Sequence, residues 1–227
     1  MTRISVVCLD MAGTTVRDGG TVRAAFTGAI AAFNLPAPEF DDAMRYVRST
    51  MGQSKIEVFR HILGSEQAAQ AANAAFEKHY AAAVGAGEVK AMPGAEELFA
   101  ACRAAGIRVC LATGFSPATR DAIIAALGWA DKVDLLLSPA DAGRGRPWPD
   151  MPLTALMRLG GGSVRELAVA GDTRSDVESG LRAGAGLVAG VLSGDTARAE
   201  LEAVPAGLPG TPLILDSVAD LPAHLGL

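Results

Sequence analysis

Asp10 ends a short apolar run, Ile4–Leu9, and opens the turn Met11-Ala12-Gly13-Thr14-Thr15, where Gly13 permits close backbone approach. A second run, Leu167–Ala170, is followed by Gly171-Asp172-Thr173 and then by Asp176, and a third, Val109–Ala112, by Thr113-Gly114. An acid at the end of such a run is often only a cap or a turn residue. Several at corresponding ends carry more weight, because the strand ends of a parallel sheet converge on one crevice. Carboxylates facing one pocket repel unless a cation neutralises them. Hard oxygen donors favour magnesium, which keeps some of its waters and bridges to phosphate. The chemistry these residues suit is therefore a metal-assisted reaction on a phosphorus oxyanion.

The elements that must position them are legible in the same pattern. Short apolar runs at Ile4–Leu9, Val109–Ala112, Leu135–Leu137, Leu167–Ala170, Leu187–Leu192 and Leu213–Leu215 are too short for helices and read as strands. Helical patterns lie between them: Ala95–Ala105, Pro117–Leu127 with Ser116 as N-cap and Gly128 as stop, Leu153–Leu159, and Ser175–Ala183 closed by Gly184. Strands alternating with helices imply an α/β fold with a Rossmann-like, doubly wound parallel sheet. From about Val16 to Lys90 the rhythm breaks: the stretch is Ala-rich, shows no strand pattern, and predicts helices at Val22–Phe33, Asp42–Arg48, Lys55–Leu63 and Glu66–Val84. We read residues 17–90 as an inserted helical cap over the C-terminal sheet edge and residues 1–16 with 91–227 as the core. Gly19-Gly20 and Gly87 are the expected hinges. Val204–Pro212, with three prolines and two glycines, is a loop.

Composition narrows the partners. The chain of 227 residues is 50% apolar, enough for one substantial core and a smaller lobe. A net charge of −5 argues against nucleic acid, whose binders carry clustered basic surface, and for a small-molecule partner. No run approaches the ~18 apolar residues a membrane span needs, and Ile4–Leu9 is too short for a signal peptide, so the expected location is cytoplasmic. Cys8, Cys102 and Cys110 lack metal-ligand spacing and read as buried small hydrophobes. His61, His79 and His224 have no partner spacing and read as structural.

In order and place, these motifs resemble those of the haloacid dehalogenase superfamily, over the whole chain. The resemblance implies that Asp10 is the nucleophile, that Gly13, Thr14, Thr113 and Gly114 hold the phosphoryl group, and that Asp10, the Ala12 carbonyl and Asp172 hold Mg2+, with Asp176 completing the metal site through water or by orienting the others. The superfamily usually has a second aspartate two residues after the nucleophile to protonate the leaving group, a service worth about 10²–10⁴-fold. Here that place is Ala12. This form of the motif is similar to that of phosphonoacetaldehyde hydrolases, in which a carbon leaves phosphorus and a lid lysine after Met-Gly serves as electron sink through an imine. The lid here reads Met51-Gly52-Gln53-Ser54-Lys55, which makes Lys55 the second catalytic residue by resemblance. Where the superfamily commonly has lysine, Arg146 in Gly145-Arg146-Pro147 presents a planar fork for phosphoryl oxygens; Arg144 and Arg174 stay unassigned. Three positions depart from that family: Phe115 replaces a tyrosine, Val58 a histidine and Gly20 a cysteine. The resemblance thus implies a magnesium-dependent hydrolase cleaving the C–P bond of a carbonyl phosphonate, with a phosphatase of small phosphate esters as the alternative. It also implies a homodimer joined through the cap helices.

Overall fold

The computed structural model describes residues 3–17 and 19–227; Met1, Thr2 and Asp18, which fall within the expected segments 1–16 and 17–90, lie outside the described residues. The chain runs through β1 (Val6–Asp10), β2 (Val16–Arg17), α1 (Thr21–Ala31), α2 (Ala37–Ser49), α3 (Lys55–Leu63), α4 (Glu66–Gly85), β3 (Lys90–Ala91), α5 (Ala95–Ala104) and β4 (Arg108–Ala112). It continues through α6 (Pro117–Leu127), β5 (Leu135–Leu137), α7 (Pro139–Ala142), α8 (Asp150–Arg158), β6 (Leu167–Gly171), α9 (Arg174–Arg182), β7 (Leu187–Val191), α10 (Arg198–Glu202), β8 (Leu213–Leu215) and α11 (Leu221–Leu225).

Six strands form one parallel sheet in the order β5-β4-β1-β6-β7-β8. Numbered among themselves along the chain, these strands lie 3-2-1-4-5-6, the doubly wound order, with the switch point beside β1. Side-chain alternation explains why the strands are apolar throughout: Val7 and Leu9 of β1 join the larger core with α5 and α6, while Val6 and Cys8 point to the opposite face against Met151, Ala155 and Leu156 of α8. The register pairs Asp10 with Ala112 and Leu9 with Ala170, so Asp10, Thr113 and Asp172 reach the same sheet edge within one step of each other.

The four helices α1–α4 lie between β2 and β3, which pair antiparallel at Val16–Ala91 and Arg17–Lys90. Two-residue strands are below the length at which an apolar run signals itself, so the expected strand-free stretch carries one at each end. An aromatic cluster fills this region: Phe26 lies 5.1 Å from Phe59 and 4.8 Å from Phe76 between ring centroids. Ser65 caps α4 by accepting from the Ala68 amide, and Gly64 ends α3 in the left-handed conformation.

Helix α2 starts at Ala37, five residues before the expected Asp42, because Pro38 is at home in a first turn whose N–H groups have no intrahelical partner. Helix α8 similarly starts at Asp150 rather than Leu153, with Pro152 in its first turn. Helix α6 has the expected boundaries, with the Ser116 hydroxyl accepting from the Thr119 amide and Gly128 at φ 64°. The short helices α7, α10 and α11 were not expected, being too brief to show a period.

Candidate active site

Asp10 is the last residue of β1 and is buried, as are Thr113, Arg146, Asp172 and Asp176. The turn after Asp10 folds back on itself: the Met11 carbonyl accepts from the amides of Thr14, Thr15 and Val16, and the Gly13 amide donates to the Val16 carbonyl. Gly13 (φ 89°) is in the left-handed region, and a Cβ there would overlap the Asp172 carboxylate. Gly13 and Thr14, expected to hold phosphate, therefore spend their amides on the loop. The Thr14 hydroxyl donates to Asp172 Oδ1 at 3.1 Å. These contacts shape the loop and fix Asp172.

Arg146 ties the site together. Its Nη1 lies 2.5 Å from Asp10 Oδ1, its Nε 2.7 Å from Asp176 Oδ1, and its Nη2 donates to the Ala112 carbonyl at 2.8 Å. Asp176, expected among the metal ligands, has its other oxygen taken by the Thr173 amide (3.1 Å) and hydroxyl (2.5 Å) in the capping box that starts α9. Through these contacts Asp176 orients Arg146 and α9. The Thr113 hydroxyl accepts from the Phe115 amide at 3.3 Å and keeps its own hydrogen to donate.

Negative charge is in excess here. Burial pushes the Asp10 carboxyl up to about 7, opposed by Arg146 and reinforced by Asp176. Burial also raises Asp172 well above the usual carboxylate range, with Asp10 and Asp176 adding to it. Arg146 alone does not offset three buried carboxylates, since one guanidinium is shared between Asp10 and Asp176. Among the described residues no three His, Cys, Asp or Glu side chains form a ready metal cage. Two carboxylates, Asp10 and Asp172, with the Ala12 carbonyl are nonetheless a donor set that suits Mg2+, which retains waters and needs few protein ligands.

The turn that carries Lys55 is laced to this edge. The Lys55 amide donates to the Gly114 carbonyl at 3.3 Å, and the Gly52 carbonyl accepts from Arg146 Nη1 at 3.4 Å. A Cβ at Gly114 would overlap the Gln53 carbonyl, so the two backbones cross at a glycine. Gly114, expected to bind phosphate, thus has the crossing of these turns as its observed part. Lys55 starts α3 and is buried; its Nζ lies 3.4 Å from the Gln53 carbonyl and 4.8 Å from the centroid of the Phe115 ring.

A family model described as haloacid dehalogenase-like hydrolase matches residues 4–184. The chain belongs to the haloacid dehalogenase-like hydrolases. It is 27% identical over 261 residues to a phosphonoacetaldehyde hydrolase of Parabacteroides distasonis, covering 98% of this chain and 96% of that one. It is 29% identical to the protein CbbY of Rhodobacter capsulatus, over 69% of this chain and 72% of that one. The crystal structure of a phosphonoacetaldehyde hydrolase like protein from Oleispira antarctica superposes with a TM-score of 0.80 at 25% identity, over 99% of this chain and 92% of that one.

In this haloacid dehalogenase-like hydrolase the departures Phe115, Val58 and Gly20 have defined places. Phe115 and Val58 are buried, Phe115 against Tyr80 at 4.6 Å, while Gly20 (φ 87°) precedes α1. Two residues went unnoticed in the sequence, Ser193 and Gly194, in the loop after β7. The Ser193 hydroxyl donates to the Gly13 carbonyl at 2.7 Å, and a Cβ at Gly194 would overlap the Asp172 carboxylate from another side. The signal available was a Ser-Gly pair directly after a strand whose end faces the site. Arg144 pairs with Asp150 and Arg174 with Glu178. The three cysteines are buried and free, and His61 stacks on Tyr46. No helix among the described residues is long and apolar enough to cross a membrane.

Proposed function

We infer that this chain is a magnesium-dependent hydrolase that cleaves the C–P bond of a small aldehyde or keto phosphonate of the phosphonoacetaldehyde kind, through an imine on Lys55 and an acyl phosphate on Asp10. The observation that carries the reading is the enclosed Lys55 amine, held by backbone contacts against the strand ends that bear Asp10, in a chain whose position 12 has no acid. Without that acid a poor ester leaving group departs slowly, whereas a carbanion leaving into an iminium needs no proton at that moment.

The Lys55 ammonium gives up a proton, the amine adds to the substrate carbonyl, and water is lost as that proton returns, leaving a protonated imine. The Asp10 carboxylate attacks phosphorus in line, and the electron pair of the C–P bond passes into the iminium to give a neutral enamine. Protonation at carbon and hydrolysis return the lysine and release an aldehyde or ketone. Water then hydrolyses the aspartyl phosphate to inorganic phosphate. The Thr113 hydroxyl and Arg146 oppose the charge on the phosphoryl oxygens. Magnesium, held by Asp10, Asp172 and the Ala12 carbonyl, would supply further positive charge there.

A second reading, favoured by Asp10, Thr113 and Arg146 suiting phosphoryl transfer from carbon or oxygen alike, is a phosphatase of small phosphate esters in which Lys55 only attracts an anion. A phosphate-release screen in Mg2+, with phosphonoacetaldehyde and several keto phosphonates beside common sugar phosphates, separates the two. We expect turnover on a carbonyl phosphonate and slow release from the esters. Brisk ester hydrolysis with no phosphonate turnover contradicts the reading.

A further inference from the structure

Lys55 has an aromatic surface beneath it that the phosphoryl chemistry does not use. Its Nζ lies 4.8 Å from the centroid of Phe115, inside the roughly 6 Å range over which a ring face attracts a cation. Both side chains are buried, Phe115 at 2% and Lys55 at 7% exposure, so water screens the contact little. The ring is held from behind: Tyr80 of α4 packs on it at 4.6 Å with an interplanar angle of 44°, and Phe76 lies 6.1 Å away. Its backbone is held as well, by the Phe115 amide to the Thr113 hydroxyl (3.3 Å) and the Lys55 amide to the Gly114 carbonyl (3.3 Å). Amine and ring therefore sit on two turns that this backbone hydrogen bond joins.

On the imine reading of Lys55, we propose that Phe115 is a positioning residue whose π face holds the Lys55 nitrogen and stabilises the protonated imine formed there. The iminium carries its positive charge on the nitrogen that faces the ring, whereas the neutral amine that adds to the carbonyl carries none, so the ring favours the iminium over the amine from which it forms. Cleavage of the C–P bond discharges that cation to an enamine, so the ring favours the imine before cleavage and gives no such help to the product of that step. The effect belongs in the amount of imine that accumulates, and in the KM for a carbonyl phosphonate, more than in kcat. Tyr80 and Phe76 act one layer further out, by fixing the ring.

The test replaces Phe115 by mono-, di- and trifluorophenylalanine, which keep the ring's shape while draining its π face. Borohydride trapping at Lys55 is read by mass spectrometry with acetaldehyde, which has no phosphorus to lose, and with phosphonoacetaldehyde. We expect the trapped fraction to fall stepwise across the series, by about tenfold at the end, the size of one well-desolvated cation–π contact. Phe115→Leu should sit at the bottom of the series and Phe115→Tyr near the parent. A packing role alone leaves the fluorinated series flat, and a flat series overturns the inference while trapping in the parent keeps the imine reading. Absence of any adduct in the parent overturns both. If Phe115→Leu does not fold, the near-isosteric fluorinated series decides.

Discussion

Arg146 binds two carboxylates and two backbone carbonyls from a buried position, which makes it the side chain whose loss should cost most. Removing one partner of a buried ion pair leaves uncompensated charge and costs about 3–5 kcal/mol. Arg146→Ala should lower unfolding free energy by about that amount in urea titrations, with loss of turnover; an unfolding midpoint close to the parent's would mean the pair is not formed. Gly194 makes a finer prediction, since a methyl there overlaps the Asp172 carboxylate. Gly194→Ala should weaken Mg2+ binding about tenfold or more in calorimetry, because one of the two anionic ligands of the proposed metal site would be displaced. An unchanged affinity would remove Asp172 from the metal site. At this scale the sequence was legible where an acid follows an apolar run, as at Asp10 and Asp172; Arg146 and Lys55 were reached through motif resemblance, and all four come to one edge. It was not legible for Ser193 and Gly194, whose meaning lies in contacts with Gly13 and Asp172 far away in the chain.

Between elements, the junction of greatest consequence is the crossing of the Gly52–Lys55 turn over Gly114. A side chain at Gly114 must push the Gln53 carbonyl away and take α3, and with it Lys55, off the strand ends. Gly114→Ala should therefore raise the KM for a carbonyl phosphonate and reduce borohydride trapping by about tenfold or more, as small misplacements of reacting groups are costly. Equal trapping in the variant and the parent would show that Lys55 does not depend on this crossing. The strands and most helices were readable because their apolar periods and caps are local. The early starts of α2 and α8 and the two-residue pair β2–β3 were not, since a proline in a first turn reads as a breaker and a two-residue strand has no period.

For the whole molecule, the doubly wound sheet explains why residues as distant in sequence as Asp10 and Asp172 can act together: every sheet strand ends at the same edge, and β1 and β6 are neighbours there. The helical stretch between β2 and β3 adds what the sheet lacks, an amine brought to that edge from outside it. This division of labour is the central claim, and Lys55→Arg tests it most directly. Arginine keeps the charge and most of the reach but forms no imine. The measurement is phosphate release from phosphonoacetaldehyde by parent and variant in Mg2+, beside mass-spectrometric mapping of the borohydride adduct in the parent. The account predicts C–P cleavage lowered by about a thousandfold or more in the variant, as expected when a covalent catalyst is lost, and an adduct on Lys55 in the parent. Cleavage at the parent rate by Lys55→Arg, or turnover of the phosphonate with no adduct on Lys55, would contradict it.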